Sequence, residues 1–187
     1  MVSRSVVIQG ERTEPDLRYP VGKFEPVTTL TPDQRRQCID AIADAPARLA
    51  AAVAGLTPAQ LDTPYRLGGW TVRQLVHHIA DSHMNAFSRF KFALTEDEPT
   101  IKTYDETRWA ELADAKMPPI ELSLALLENL HKRWVVLLRS LEPSDWPRKF
   151  RHPEWGLATV DFLLAQYAWH GRHHVAQITS LRERNGW

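Results

Sequence analysis

The chain has 187 residues, 43% hydrophobic and 25% charged, which is ordinary globular usage in a length that can bury its own core without staples. Its 23 Lys and Arg are cancelled by 23 Asp and Glu, which argues against a broad electrostatic grip on nucleic acid or an anionic membrane. The single cysteine, Cys38, rules out an internal disulfide and a Cys-based zinc cage, and it suits a reducing cytoplasm.

Residues 1–30 carry Pro15, Pro20 and Pro26 and are expected to form an extended N-terminal arm, with a short strand at Val6–Ile8. Leu17, Tyr19, Val21 and Phe24 are too apolar for a free tail, so the arm is expected to lie against a domain formed by 31–187. The Val6–Ile8 patch is too short for a secretory segment, and no run approaches the roughly 18 apolar residues of a membrane span. A cytoplasmic location is therefore expected.

The first long helix opens at Thr31, an N-cap followed by Pro32 and Asp33, and Ile39, Ile42, Leu49 and Val53 supply its apolar face. Pro46 should kink it and Gly55 should end it. A connector follows, with one turn at 58–62. The second helix opens on the capping box Thr71-x-x-Gln74 and should run to about Leu94. Its apolar stripe is Val72, Leu75, Val76, Ile79, Ala86, Phe87 and Phe90. A polar link over 95–118 should hold a short helix at Asp105–Asp114, with Trp109 and Leu112 facing inward.

The third helix covers 120–140, with Leu122, Leu126, Leu127, Leu130, Trp134, Leu137 and Leu138 as inward candidates. Residues 141–158 predict a loop with a hairpin around His152–Trp155. The fourth helix opens at Thr159 and closes at Asn185-Gly186. Four long amphipathic segments with little strand signal predict an all-α four-helix bundle, with long links that cross it or cap one end.

Eight histidines carry the chemistry. In W-H-G-R-H-H at 169–174, His170 and His174 lie one helical turn apart, about 40° from each other. Leu163, Tyr167, Ile178 and Leu181 share their face, so this pair belongs to the buried stripe. Two buried imidazoles need partners for their ring nitrogens, and a divalent metal takes one lone pair from each. The competing reading is a pair of core histidines satisfied by hydrogen bonds. His173 should sit at the stripe's edge.

The second helix offers two further ligands. His83 lies in its apolar stripe, about 40° from Ile79. His78 lies in a neighbouring polar stripe with Thr71, Gln74, Ser82, Asn85 and Arg89, the pattern of a helix lining a wet cleft or a solvated face. His77 and His152 are expected to be exposed, and His131 to be partly buried or to support the site. Cys38 is expected to be a small buried residue. Trp70, Trp109, Trp134, Trp146, Trp155 and Trp169 read as packing anchors.

P-Y-R-L-G-G-W-T-V-R-Q-L-V-H-H-I-A-D-S-H-M-N at 64–85 resembles the DinB superfamily, and closely its YfiT-like branch of metal-dependent hydrolases. R-F-K at 89–91, Y-D-E at 104–106, H-K-R-W at 131–134 and Y-A-W-H-G-R-H-H at 167–174 extend the resemblance over about residues 19–187. The family's third ligand is the His eight positions after the motif Trp. The resemblance therefore implies a His78, His170, His174 site for one divalent metal ion per chain, zinc or nickel, and a homodimer.

Three neutral imidazoles would leave such a cation near +2, able to acidify a bound water for hydrolysis. The same position can deprotonate a thiol, and relatives in the superfamily imply an S-transferase that conjugates a low-molecular-weight thiol of the bacillithiol type. A third reading is a non-catalytic bundle stapled by metal, closed by His83 or His173 as a fourth ligand. The superfamily's name suggests a DNA-damage role, but the zero net charge predicts no nucleic-acid partner and a small-molecule substrate.

Gln74, Asp81 and Gln166 are candidate acceptors for the far nitrogens of the ligating imidazoles. Ser82, Asn85 and Arg89 continue the cleft stripe. Arg89 is expected to make a surface salt bridge, with a substrate carboxylate as the alternative. No carboxylate is evident as a general base.

Overall fold

The structure, a computed structural model, describes residues 16–187; the strand expected at Val6–Ile8 lies outside them. The elements are α1 (Pro32–Val53), α2 (Pro58–Leu61), α3 (Val72–Thr95), α4 (Glu106–Ala110), α5 (Ala113–Lys116), α6 (Glu121–Arg139), β1 (Lys149–His152), β2 (Gly156–Thr159) and α7 (Val160–Asn185). The threonine caps act where the sequence places them. Thr31 and Thr71 each close a capping box, and Thr159 accepts from the Phe162 amide. Helix α1 runs through Pro46 as one element, and Gly186 ends α7 in the left-handed conformation (φ +67°).

The four long helices form a bundle in which α1 packs on α6 and α7, and α3 packs on the same two. Two links therefore run between diagonal positions, from α1 to α3 and from α6 to α7. The 96–120 link joins neighbouring helices instead, and its short helices α4 and α5 pack on α3. β1 and β2 form the antiparallel hairpin of the last link, with Lys149 opposite Thr159 and His152 opposite Gly156.

Two apolar cores fill the bundle. One gathers Ile42, Phe90, Trp134, Phe150, Leu163 and Leu164; the other gathers Leu49, Val72, Leu75, Ile79, Leu127 and Ile178. Between the two cores α3, α6 and α7 each bring buried histidines inward, among them His83, His131 and His174. Gly171 lies in the same layer, where an added Cβ would come within 3.2 Å of the Ala45 Cβ on α1. A side chain there would push α1 and α7 apart.

Three inward expectations fail. Leu112, in the link before α5, is exposed, and so are Leu122 and Leu126, because α6 turns the Leu127, His131 and Trp134 side inward. Segment 16–30 lies along α7. Trp169 Nε1 donates to the Gly22 carbonyl, Gln177 Nε2 donates to the Arg18 carbonyl, and Phe24 meets Phe162 edge-on. Its end is pinned at Asp161, a buried carboxylate that accepts from the Leu30 amide and both fork nitrogens of Arg35 (2.7 Å each). No helix among the described residues is long and apolar enough to cross a membrane.

Candidate metal centre

His78 of α3 and His170 and His174 of α7 converge in the layer between the cores. Each offers a ring nitrogen, and these nitrogens all lie within 4.8 Å of one another. Ring centroids are 4.5 Å apart for His170 and His174, 4.9 Å for His78 and His174, and 5.3 Å for His78 and His170. The tryptophan eight positions before His78 has a local role. The Trp70 ring packs 4.6 Å from the His78 ring and walls it on one side.

Hydrogen bonds settle which nitrogens are free. His131 Nδ1 lies 2.6 Å from the Ile42 carbonyl, so it must carry the proton it donates. Its Nε2 is then an acceptor for His83 Nδ1–H at 2.7 Å. His83 Nε2 in turn accepts from His170 Nδ1–H at 3.1 Å. That chain leaves the His170 Nε2 lone pair unprotonated. On the other ligand, His174 Nδ1–H donates to Gln177 Oε1 at 2.8 Å, which frees the His174 Nε2 lone pair. The two Nε2 atoms face each other at 3.2 Å. Two lone pairs at that distance repel unless a proton or a cation sits between them, and a divalent cation suits both with His78 beside them.

Burial also keeps the imidazoles in the ligating form. It pushes His78 down to about 4, with the neighbouring His173 adding to the shift. It holds His170 and His174 well below the usual imidazole value, helped by the other rings in the layer. His83 and His131 are lowered for the same first reason, His131 to about 4. A cluster kept neutral by desolvation presents lone pairs, not charges, to a cation.

A cleft of about 620 Å³ opens onto His174, with Tyr65, Trp70, Glu106 and His173 in its walls. A second cavity of about 710 Å³ adjoins it, and Glu106 and Thr107 line both. Glu106 is the carboxylate the sequence did not single out. It sits in the first turn of α4 and stays exposed to solvent; partial desolvation by the cavity walls raises its pKa against the opposing pull of Arg89.

The other expected residues divide. Gln74 does not serve His78: its Oε1 accepts from the Thr71 amide and its Nε2 donates to the Ala110 carbonyl, tying α4 to the start of α3. Asp81 and Asn85 line neither cavity; Asn85 Nδ2 bonds the Asp81 carbonyl, and the Asp81 carboxyl is raised to about 6 by burial and then by Asp114. Gln166 turns into the second cavity with Ser82 and Arg89. Arg89 is buried, not engaged in the expected surface salt bridge, and bonds the Tyr167 hydroxyl and the Lys102 carbonyl.

His173 is buried, stacked on Trp169 and bonded to Gln177 Nε2. His83 is not in the cluster; it is the middle of the chain that orients His170. His77 and His152 are both buried, contrary to expectation. His77 Nδ1 meets Ser123 Oγ at 2.7 Å, and His152 stacks on Trp155, itself partly exposed, at 3.6 Å. Cys38 is half-buried and burial pushes its thiol up. Gln177 and His131 are the functional neighbours that sequence reasoning missed or left open. Gln177 had a signal, since it lies three residues after His174 on the same helical face.

Fold and site together define a four-helix-bundle protein with a buried three-histidine cluster able to hold a divalent cation. The chain belongs to the DinB superfamily, whose family model matches residues 41–178. A protein of Bacillus mycoides (strain KBAB4), described as a "Putative metal-dependent hydrolase", is 56% identical over 172 residues, 92% of this chain and 99% of its own. YfiT from Bacillus subtilis, described as "a probable metal-dependent hydrolase with an unusual four-helix bundle topology", is 48% identical and superposes with a TM-score of 0.89, covering 91% of this chain and 98% of that one. TT2238, a four-helix bundle protein, shares the fold at 21% identity with a TM-score of 0.52, over 75% of this chain and 94% of its own.

Proposed function

We propose that this protein is a metal-dependent hydrolase of small molecules, in which His78, His170 and His174 hold one zinc or nickel ion and leave a coordination position open to the cleft. The observation that carries the reading is the hydrogen-bond chain that leaves the His170 and His174 Nε2 lone pairs facing each other at 3.2 Å beside His78. The names of the relatives agree with it. A cation bound there supplies Lewis acidity and lowers the pKa of a coordinated water.

The protein's own groups do the rest. Gln177 and His83 fix the two α7 imidazoles, and Trp70 shields His78. Glu106 is the carboxylate in the cleft wall available to take up a proton. Among the described residues no fourth protein ligand closes the cluster: His83 is committed to the chain through His131, and His173 Nε2 to Gln177. That favours a working site over a structural staple.

The test is turnover of p-nitrophenyl esters and aryl amides by zinc- and nickel-loaded protein, run beside conjugation of a small thiol to a bimane electrophile. Metal-dependent hydrolysis that disappears in His174→Ala and drops at least tenfold in Glu106→Gln supports the proposal. Thiol conjugation without hydrolysis would replace it with the S-transferase reading, and metal binding without either reaction with the non-catalytic one.

A further inference from the structure

The second cavity holds a buried cation that makes no contact ion pair among the described residues, although two carboxylates stand in the same walls. Arg89 is only 6% exposed. Its two bonds are long and go to neutral oxygens, Nη1 to the Tyr167 hydroxyl at 3.3 Å and Nη2 to the Lys102 carbonyl at 3.4 Å. Its Nε–H has no partner among the described residues, although Arg35 uses the same edge of its guanidinium to grip Asp161 bidentately. A buried guanidinium with an idle fork is costly unless something anionic completes it.

Two more residues that line the cavity each carry a buried polar atom without a partner among the described residues, the Tyr104 hydroxyl and Gln166 Oε1. Three idle polar atoms around one space are what a binding lobe for a polar group presents. The lobe is continuous with the candidate metal centre. Ser82 lies one turn after His78 on α3, Gln166 lies one turn before His170 on α7, and Glu106 and Thr107 wall both spaces.

We propose that Arg89 binds a carboxylate of the substrate, so that the substrate spans two lobes with this anchor in one and the reacting bond in the other. The charge around the lobe selects a carboxylate over a phosphate. Glu106 and Glu154 also line it, and His152 there is kept toward its neutral form by burial and by Arg89. One guanidinium facing two acids suits a single negative charge better than a double one. Arg89 stands 11 positions after His78, about 16 Å of helix rise, and its side chain leans back toward the helix start. The substrate is therefore elongated, with its carboxylate remote from the bond that reacts. This inference deepens the proposed hydrolase but is tested by binding, so the two can fail separately.

The experiment is calorimetric titration of the purified protein and of its His174→Ala variant with hexanoate, hexanamide and inorganic phosphate. The expected result is at least tenfold tighter binding of hexanoate than of hexanamide in both proteins, lost in Arg89→Gln. Arg89→Lys, which keeps the charge at that depth but not the fork, should lose several-fold of the preference and serves if the Gln variant fails to fold. Equal affinity for acid and amide would overturn the proposal, as would a preference that survives Arg89→Gln. A preference that vanishes in His174→Ala would place the carboxylate on the metal, and tighter binding of phosphate would reject the carboxylate.

Discussion

Replacing Gln177 with Leu isolates the support of one ligand while leaving the ligand in place. Gln177 is buried, and its Oε1 is the acceptor for His174 Nδ1–H at 2.8 Å. Leucine fills a similar volume but accepts nothing. The His174 ring then loses the bond that fixes both its orientation and its tautomer, and either ring nitrogen can take the proton. Loss of such an acceptor costs roughly 10–100-fold in metal affinity, or about 1.4–2.8 kcal/mol. The substitution also releases the Arg18 carbonyl and His173 Nε2, so a further loss of stability of about 2 kcal/mol is expected. The assay is competition for zinc against a chromophoric chelator at pH 7.5, with circular dichroism to confirm the fold. Gln177→Glu keeps an acceptor for His174 and gives up the two donations, so it should hold zinc at least as tightly as the wild type. A folded Gln177→Leu variant that binds zinc within twofold of wild type would refute the reasoning.

Three other outcomes follow from the same structure. His131→Leu leaves His83 Nδ1–H and the Ile42 carbonyl unpaired in the bundle's centre, and should cost roughly 2–4 kcal/mol and lower Tm by about 5–15 °C; a shift under 2 °C would contradict the chain of histidines. Asp161→Ala strands Arg35 and the Leu30 amide, and a urea titration should show a loss of roughly 3 kcal/mol or more. Metal-free protein should weaken as pH falls. The unfolded chain protonates His131 near pH 6.5, whereas the folded chain resists until about 4, so the unfolded state binds more protons in that window. That residue alone removes up to about 3 kcal/mol by pH 4, and a urea midpoint that stays flat between pH 7 and 4.5 would count against it.

Local signals were the most readable. Thr31, Thr71 and Thr159 cap the helices they were expected to cap, because a cap depends on three or four neighbouring residues. The His170 and His174 pair was legible for the same reason, since helical spacing alone puts both rings on the inward face. Spacing did not choose between His78 and His83. Both point inward on α3, and only the facing helices decide that His78 joins the two α7 imidazoles while His83 bridges His131 on α6 and the far nitrogen of His170 on α7.

What depended on distant chain was misread. His77, His152 and Arg89 looked exposed on their own elements, but His77 meets Ser123 on α6, His152 stacks on Trp155 in the hairpin, and Arg89 reaches Tyr167 on α7 and Lys102 in the 96–120 link. Leu122 and Leu126 looked like core on α6, yet the helix presents His131 and Trp134 to the bundle instead. Glu106 could not be found from spacing, since a short helix in a long link has no register until it docks.

The central claim is that three imidazoles form a cation site. Metal content by mass spectrometry, on protein purified without a metal-affinity tag and beside His78→Ala and His174→Ala variants, tests it most directly. Wild-type protein is expected to carry close to one zinc or nickel per chain, and either variant little. Wild-type protein that carries no metal and takes up neither added zinc nor added nickel would contradict it, and the histidine layer would then be a hydrogen-bonded core and nothing more.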